Sequence, residues 1–206
     1  MSKKKPLIVF EGIEGSGKTT LINYVSKFFS KKKIKYIRIR EPGGNKNSEN
    51  IRKLILNNKN NFNSFTDLML YLAARSENID LTIKKNYNKS VILLDRFTDS
   101  TIAYQHYGMG LDKNLINKIN KSLLKNIKPD LTFLNVVNSK NLIKRLRLRK
   151  LKNRYDNFNI KFYEKVQRGY LKLAKNRSKY IIIDSNKKLI ENKKEVLNKI
   201  KKIIHV

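Results

Sequence analysis

The sequence contains no cysteine, which excludes a disulfide framework, a thiolate metal site and a cysteine nucleophile. Stability has to come from a hydrophobic core, and 206 residues are enough to bury one. Acidic residues are also scarce: 16 Asp and Glu stand against 47 Lys and Arg, a formal net charge of +31. Such a balance raises nucleic acid as a partner. The charge, however, is spread through Asn- and Ile-rich sequence rather than gathered into a block, as a low-G+C genome would impose through its lysine, asparagine and isoleucine codons. Specific nucleic-acid binding is therefore not expected. Long apolar runs are missing too. The basic opening MSKKKP gives way to apolar residues only from Leu7 to Phe10, short of the ~7–15 of a signal-peptide core and the ~20 of a membrane span. The expectation is a cytoplasmic chain with no membrane segment. With no Gly/Ser/Pro-rich linker and no internal repeat, a single domain over residues 1–206 is expected.

Five short apolar runs read as strands: LIVF at 7–10, YIRI at 36–39, VILLD at 91–95, LTFLNV at 131–136 and YIIID at 180–184. All but the second are nearly unbroken, as parallel strands covered on both faces should be. Between them, apolar residues recur at helical spacing, as in Leu21, Val25, Phe28 and Phe29, or Leu115, Ile119, Leu123 and Leu124. Alternating strands and helices predict an α/β fold, a doubly wound five-stranded parallel sheet flanked by helices. Asn/Lys clusters at 57–63 and 84–89 read as solvated loops or helix ends. In such sheets ligands collect at the carboxyl ends of the strands.

The first strand runs directly into GIEGSGKT, Gly12 to Thr19, which satisfies the phosphate-binding pattern G-x-x-x-x-G-K-[ST]. Backbone N–H groups of Gly12, Ile13, Glu14, Gly15, Ser16 and Gly17 are placed to wrap phosphate oxygens, with the following helix adding its positive end. Lys18 is expected to reach the β- and γ-phosphates of a nucleoside triphosphate, and Thr19 to ligate Mg²⁺. Asp95 closes a hydrophobic strand and is a second candidate for the metal, while Arg96 beside it suits an anionic substrate. The loop alone leaves hydrolases, kinases and motors open.

The motif order resembles that of bacterial thymidylate kinases over nearly the whole chain: FEGIEGSGKTT, then REPGG at 40–44, LYLAAR at 70–75, DRFTDSTIAYQ at 95–105, KPDLTFLNV at 128–136 and DSNKKL at 184–189. REPGG together with DRFTDSTIAYQ is the specific part. The resemblance implies transfer of the γ-phosphoryl group of MgATP to dTMP, giving dTDP and ADP, by a homodimer. It also implies site roles: Glu14 near the substrate 3′-hydroxyl, Arg52 and Arg96 on the acceptor phosphate, Tyr71 stacked on thymine, and Arg75 and Gln105 on the base edge. Ser100, Thr101 and Tyr104 would complete the pocket, with Glu41 a carboxylate at the active site. On spacing alone Tyr71, near Leu68 and Leu72, reads as a helical core residue, Arg75 as a solvated helix charge and Gln105 as a surface amide. Most family members carry phenylalanine where Tyr71 stands, so its hydroxyl needs a polar partner. The chain also has Asn45 where threonine is common and Met109 where many relatives have arginine.

Arginine, elsewhere outnumbered by lysine, is concentrated in RLRLRKLKNR at 145–154. This can be a phosphate-binding face for nucleic acid or a lid over ATP that exploits the planar guanidinium fork. Gly15 occupies the P-loop position where one class of these kinases has arginine, so the resemblance implies a helical lid, about 145–157, that supplies the cation. Arg149 and Arg154 are the expected ATP-facing pair, with Arg145 as a further ATP contact. The family's Asp-Arg at the lid's end is Asn153-Arg154 here, which leaves Asp156 to orient Arg154. Two rivals are kept: a P-loop phosphotransferase with another acceptor, and a P-loop ATPase that binds nucleic acid.

Overall fold

The computed structural model describes residues 4–148 and 153–205. Strands β1 (Leu7–Gly12), β2 (Tyr36–Arg40), β3 (Val91–Asp95), β4 (Leu131–Val136) and β5 (Tyr180–Asp184) form a sheet in the order β2-β3-β1-β4-β5. Every pairing is parallel, with Phe10 opposite both Asp95 of β3 and Phe133 of β4. All five expected runs are strands. Helices α1 (Lys18–Lys31), α2 (Lys46–Leu56), α3 (Ser64–Asn78), α4 (Lys84–Asn86), α5 (Thr98–Thr101), α6 (Lys113–Leu124), α7 (Ser139–Arg147), α8 (Ile160–Ala174) and α9 (Leu189–Ile204) connect them. Two π-helical stretches, Ile79–Ile83 and Ile102–Gly108, continue α3 and α5.

Residues two apart on a strand share a face, and the core divides accordingly. Ile8, Phe10, Leu93 and Phe133 pack with Leu21, Val25 and Phe29 of α1 and Val196 and Ile200 of α9. Leu7, Val9, Ile92 and Leu94 pack on the opposite face with Ile39, Ile79, Ile83 and Phe97. At about 25 cal/mol per Å² of apolar surface removed from water, this two-sided burial dominates stability. Two expectations need correction. β5 is an edge strand, paired with β4 alone among the described strands, and Ile182 is 52% exposed rather than covered on both faces. The fully buried residues of α6 are Ile116 and Asn120 rather than Leu115, because Ile116 packs with Leu68, Leu72 and Ile102 and Asn120 accepts from Arg75, while Ile119 and Leu123 of the expected stripe pack against that cluster.

The asparagines do local work. Asn45, Asn63, Asn138 and Asn159 cap α2, α3, α7 and α8, each side chain accepting a backbone N–H of the first turn. Such a cap contributes about 1 kcal/mol. It also fixes where each helix starts, and hence where the loops at the sheet's carboxyl edge lie.

Candidate active site

The P-loop leaves β1 through Gly12, at φ +137°. A Cβ there would lie 2.4 Å from the Asn135 carbonyl oxygen, so the close approach of β1 to β4 requires glycine. Gly17, at φ 88°, begins α1 with no side-chain cap, which leaves first-turn N–H groups for an anion. The loop carbonyls are held from behind. Ser185 Oγ and Asn135 Nδ2 donate to the Ser16 carbonyl at 2.7 and 3.3 Å, and Arg145 donates to the carbonyls of Gly15 at 3.0 Å and Ser185 at 2.6 Å. Lys18 Nζ donates to the Gly12 and Ile13 carbonyls, each at 2.8 Å. Burial, with the Arg96 charge adding to it, pushes the Lys18 ammonium down to about 8 against the pull of Asp95, Glu14 and Glu11.

Thr19 Oγ1 donates to Asp95 Oδ2 at 3.3 Å, so the first turn of α1 and the end of β3 present two hard oxygen donors side by side. No cluster of three or more His, Cys, Asp or Glu that could cage a metal occurs among the described residues. Two protein oxygens next to a phosphate loop suit Mg²⁺, which keeps waters and phosphates as its remaining ligands.

Arg96 follows Asp95 with φ 71°, a left-handed conformation that costs a non-glycine residue on the order of 1 kcal/mol. That turn directs its guanidinium back across the P-loop. Nη1 donates to the Gly12 carbonyl at 2.8 Å and Nη2 to Glu14 Oε1 at 2.7 Å, with the Tyr104 ring 5.1 Å from its centre. Burial would raise the Glu14 carboxyl, but the charges of Arg96 and Lys18 and the Tyr104 hydroxyl outweigh it and hold the group below the ordinary range.

Beneath them lies Glu11, a residue not singled out in the sequence. Its carboxylate is 1% exposed. It accepts from Phe97 N at 2.9 Å, Ser100 N at 3.2 Å, Ser100 Oγ at 2.6 Å and Tyr170 Oη at 3.1 Å. Burial, reinforced by Asp99, pushes it up to about 7. The available signal was a glutamate ending a fully buried run in LIVFEG; Tyr170, on a helix late in the chain, gave none.

A cleft of about 780 Å³ runs from Ser185, Lys187 and Leu189 past the P-loop to α3. Glu14 to Thr19, Asp95, Arg96 and Arg145 line it, as do Glu41, Arg52, Tyr71, Arg75, Ser100, Thr101, Tyr104 and Gln105. The structure therefore brings these expected positions together, while Gly12 and Ile13 stand behind the lining. Within the wall Arg75 and Arg52 are already engaged. Arg75 donates through Nε to Glu41 Oε2 at 2.8 Å, through Nη1 to Asn120 Oδ1 at 2.8 Å and through Nη2 to the Phe97 carbonyl at 2.9 Å. Neither Arg75 nor Gln105 is a surface residue: each is 1% exposed. Gln105 Nε2 and Thr101 Oγ1 are buried without a hydrogen-bond partner. Arg52 Nη1 donates to the Pro42 carbonyl at 2.6 Å.

The lid expectation changes. Arg154 does not line the cleft; its guanidinium pairs with Asp67 of α3, because that carboxylate, 3% exposed, needs a compensating cation once it is taken out of water. Asp156 does not orient Arg154; it accepts the Asn153 N–H at 2.7 Å and closes a capping box. Arg145 faces the P-loop, as its two carbonyl contacts show. Arg149 lies outside the described residues.

The thymidylate kinase family model matches residues 10–196. The chain belongs to the thymidylate kinase family. A thymidylate kinase from Mycoplasma capricolum subsp. capricolum is 39% identical over 185 residues, 87% of each chain. One from Thermosipho africanus is 38% identical over 183 residues, 88% of this chain and 90% of the relative. Among solved structures, thymidylate kinase from Ehrlichia chaffeensis superposes with a TM-score of 0.78 at 30% identity, over 96% of this chain and 99% of that one. Membership of the thymidylate kinase family makes this chain a phosphotransferase with ATP as donor and dTMP as acceptor, yielding ADP and dTDP. Among the described residues no helix is long and apolar enough to cross a membrane.

Proposed function

We propose that this cleft holds ATP and dTMP end to end, and that its own side chains perform the transfer. The observation that carries the reading is Arg96: one guanidinium touches the P-loop at Gly12 and Glu14 and lies over the ring of Tyr104, so a single cation spans donor and acceptor halves. An oxygen of the dTMP 5′-phosphate forms a bond to the γ-phosphorus of ATP while the bond from that phosphorus to the β–γ bridging oxygen breaks. The acceptor oxygen is already anionic, so no strong general base is required, and positioning and charge neutralisation carry the step.

Lys18 holds the β- and γ-phosphates, and the uncapped start of α1 supplies N–H donors to them. Arg96 holds the acceptor phosphate against the transferring group, with Arg52 beside it. Thr19 and Asp95 would hold Mg²⁺, which supplies charge neutralisation on the bridging phosphates when bound. Glu14 keeps Arg96 in its plane and lies next to the acceptor sugar. Tyr71 stacks on thymine, and Gln105, with its unpaired Nε2, and the spare donor capacity of Arg75 read the base edge. Arg145 keeps the P-loop shaped from behind and is the described lid arginine on the ATP side. The same reading takes the chain to work in the cytoplasm as a homodimer.

Initial rates of ADP release with MgATP and a panel of nucleoside monophosphates test the assignment. The expected result is turnover with dTMP well above that with AMP, CMP or GMP. Turnover with one of those and none with dTMP would overturn it.

A further inference from the structure

Glu11 and Tyr170 take no part in the roles assigned above and do not line the cleft, yet both belong to the network that grips Arg96. Each is 1% exposed. Oε1 of Glu11 is filled by the backbone N–H groups of Phe97 and Ser100, while Oε2 faces two hydroxyls, Ser100 Oγ at 2.6 Å and Tyr170 Oη at 3.1 Å. Those hydroxyls are themselves 2.6 Å apart, so the three oxygens form a closed triangle. Arg96 Nη1 points at one edge of it, 3.4 Å from Ser100 Oγ and 3.3 Å from Tyr170 Oη. Its other hydrogen goes to the Gly12 carbonyl, and Nη2 donates to Glu14. A guanidinium carries five N–H donors. The Nε–H has no acceptor among the described residues, which leaves it, with the second Nη2 hydrogen, for an anionic oxygen.

Serine and tyrosine hydroxyls bring one hydrogen each, and each of the two 2.6 Å contacts needs a hydrogen between its oxygens. With Glu11 ionised this fixes a chain. Ser100 donates to Glu11, and Tyr170 donates to Ser100 with Glu11 as its longer, shared acceptor. A proton on Glu11 only fills the third edge. In either state the hydroxyl hydrogens lie along the triangle, and Arg96 Nη1 meets lone pairs. We propose that Glu11 and Tyr170 are positioning residues for the cation on the acceptor phosphate: Glu11 draws the Ser100 and Tyr170 hydrogens toward itself, and the lone pairs so exposed hold one end of the Arg96 guanidinium while its remaining donors stay free for the phosphate. The proposal rests on the reading of Arg96 given above. It gives the four bonds converging on a buried carboxylate a task in the transfer step.

The test is a double-mutant cycle on steady-state kinetics. Tyr170→Phe removes one oxygen and keeps the ring, which stands edge-on to Tyr104 with centroids 6.3 Å apart. In the parent protein it should lower kcat/KM for dTMP about ten-fold, the worth of a hydrogen bond to a charged group, with the KM for ATP unchanged. In an Arg96→Lys background, where no planar fork remains to be held, the same substitution should change kcat/KM for dTMP by less than about two-fold. Glu11→Gln is the second variant. Its amide nitrogen cannot face the N–H groups of Phe97 and Ser100, so it turns to the hydroxyls, donates to them and drives a hydroxyl hydrogen toward Arg96. It should lower kcat/KM for dTMP in the parent protein and add little to Tyr170→Phe. Thermal unfolding of each variant checks that the fold is retained, and a purely supporting role would act equally in both backgrounds. Equal losses in both backgrounds, or a kcat/KM within about two-fold of the parent protein's for either single variant, overturn the proposal. Failure of the parent protein itself to use dTMP overturns the functional reading instead.

Discussion

Arg96 Nη2 lies 2.7 Å from Glu14 Oε1, joining residues 82 positions apart across the mouth of the P-loop. The pair is mostly buried, with side-chain exposures of 15% and 14%, so neither charge is free to relax into water. Glu14→Gln would leave Arg96 without its partner and free to swing toward the phosphates. We expect a higher KM for dTMP and a smaller change in the KM for ATP. Arg96→Lys, which keeps the charge and loses the fork, should lower kcat by about 10²–10³. Steady-state kinetics with both substrates varied would show it, and a kcat within a factor of about two of the parent protein's would contradict the role.

Arg75 and Glu41 form the other internal pair, and both are almost wholly buried. Burial raises the Glu41 carboxyl, opposed by the Arg75 charge. Removing one partner of a buried pair costs about 3–5 kcal/mol, because the other charge is stranded. Arg75→Ala should therefore lower the urea midpoint strongly, and adding Glu41→Gln should recover part of the loss. Strictly additive losses would contradict the pairing.

Lys18 makes ATP binding proton-linked. Its ammonium, pushed down to about 8 by burial, is partly deprotonated at pH 8 in the unliganded protein, and phosphate oxygens favour the charged form. Calorimetric titration at pH 8 in buffers of different ionisation enthalpy should show net proton uptake on ATP binding. Lys18→Arg, permanently charged, should abolish it. Uptake that persists in that variant would assign the proton elsewhere.

Glu11 should leave a signature in stability against pH. Its folded value of about 7 lies above the ordinary 4.5. Between those two values the unfolded chain gives up a proton that the folded chain retains, so this group's contribution to stability is full below about 4.5 and is lost as pH rises toward 7. Glu11→Gln mimics the protonated form. Its melting temperature should gain on that of the parent protein between pH 5 and pH 7.5, with other carboxylates cancelling in the comparison; a pH-independent difference would contradict the assignment.

What could be read from the sequence followed the local rules. The P-loop and the five strands depend on contiguous residues: glycines where the backbone turns, unbroken apolar runs where both faces are covered. The expected acceptor residues Tyr71, Arg75 and Gln105 line the same cleft as Lys18, although spacing alone made each an ordinary helix residue. What was hidden depends on contacts between distant segments. Asn120 gives no sign in the sequence that it accepts from Arg75, nor Asp67 that it, and not Asp156, takes Arg154. Glu11 was legible as buried but not as the acceptor of four bonds from two other segments, the start of α5 at Phe97 and Ser100 and Tyr170 of α8.

The claim that one cleft passes a phosphoryl group between two nucleotides is tested most directly by following the phosphorus. In ³¹P spectra of MgATP, dTMP and the protein, dTDP and ADP should grow in equal amounts with little orthophosphate, and Arg96→Lys should slow both together. ADP accompanied by orthophosphate, with dTMP untouched, would show a hydrolase and contradict the account.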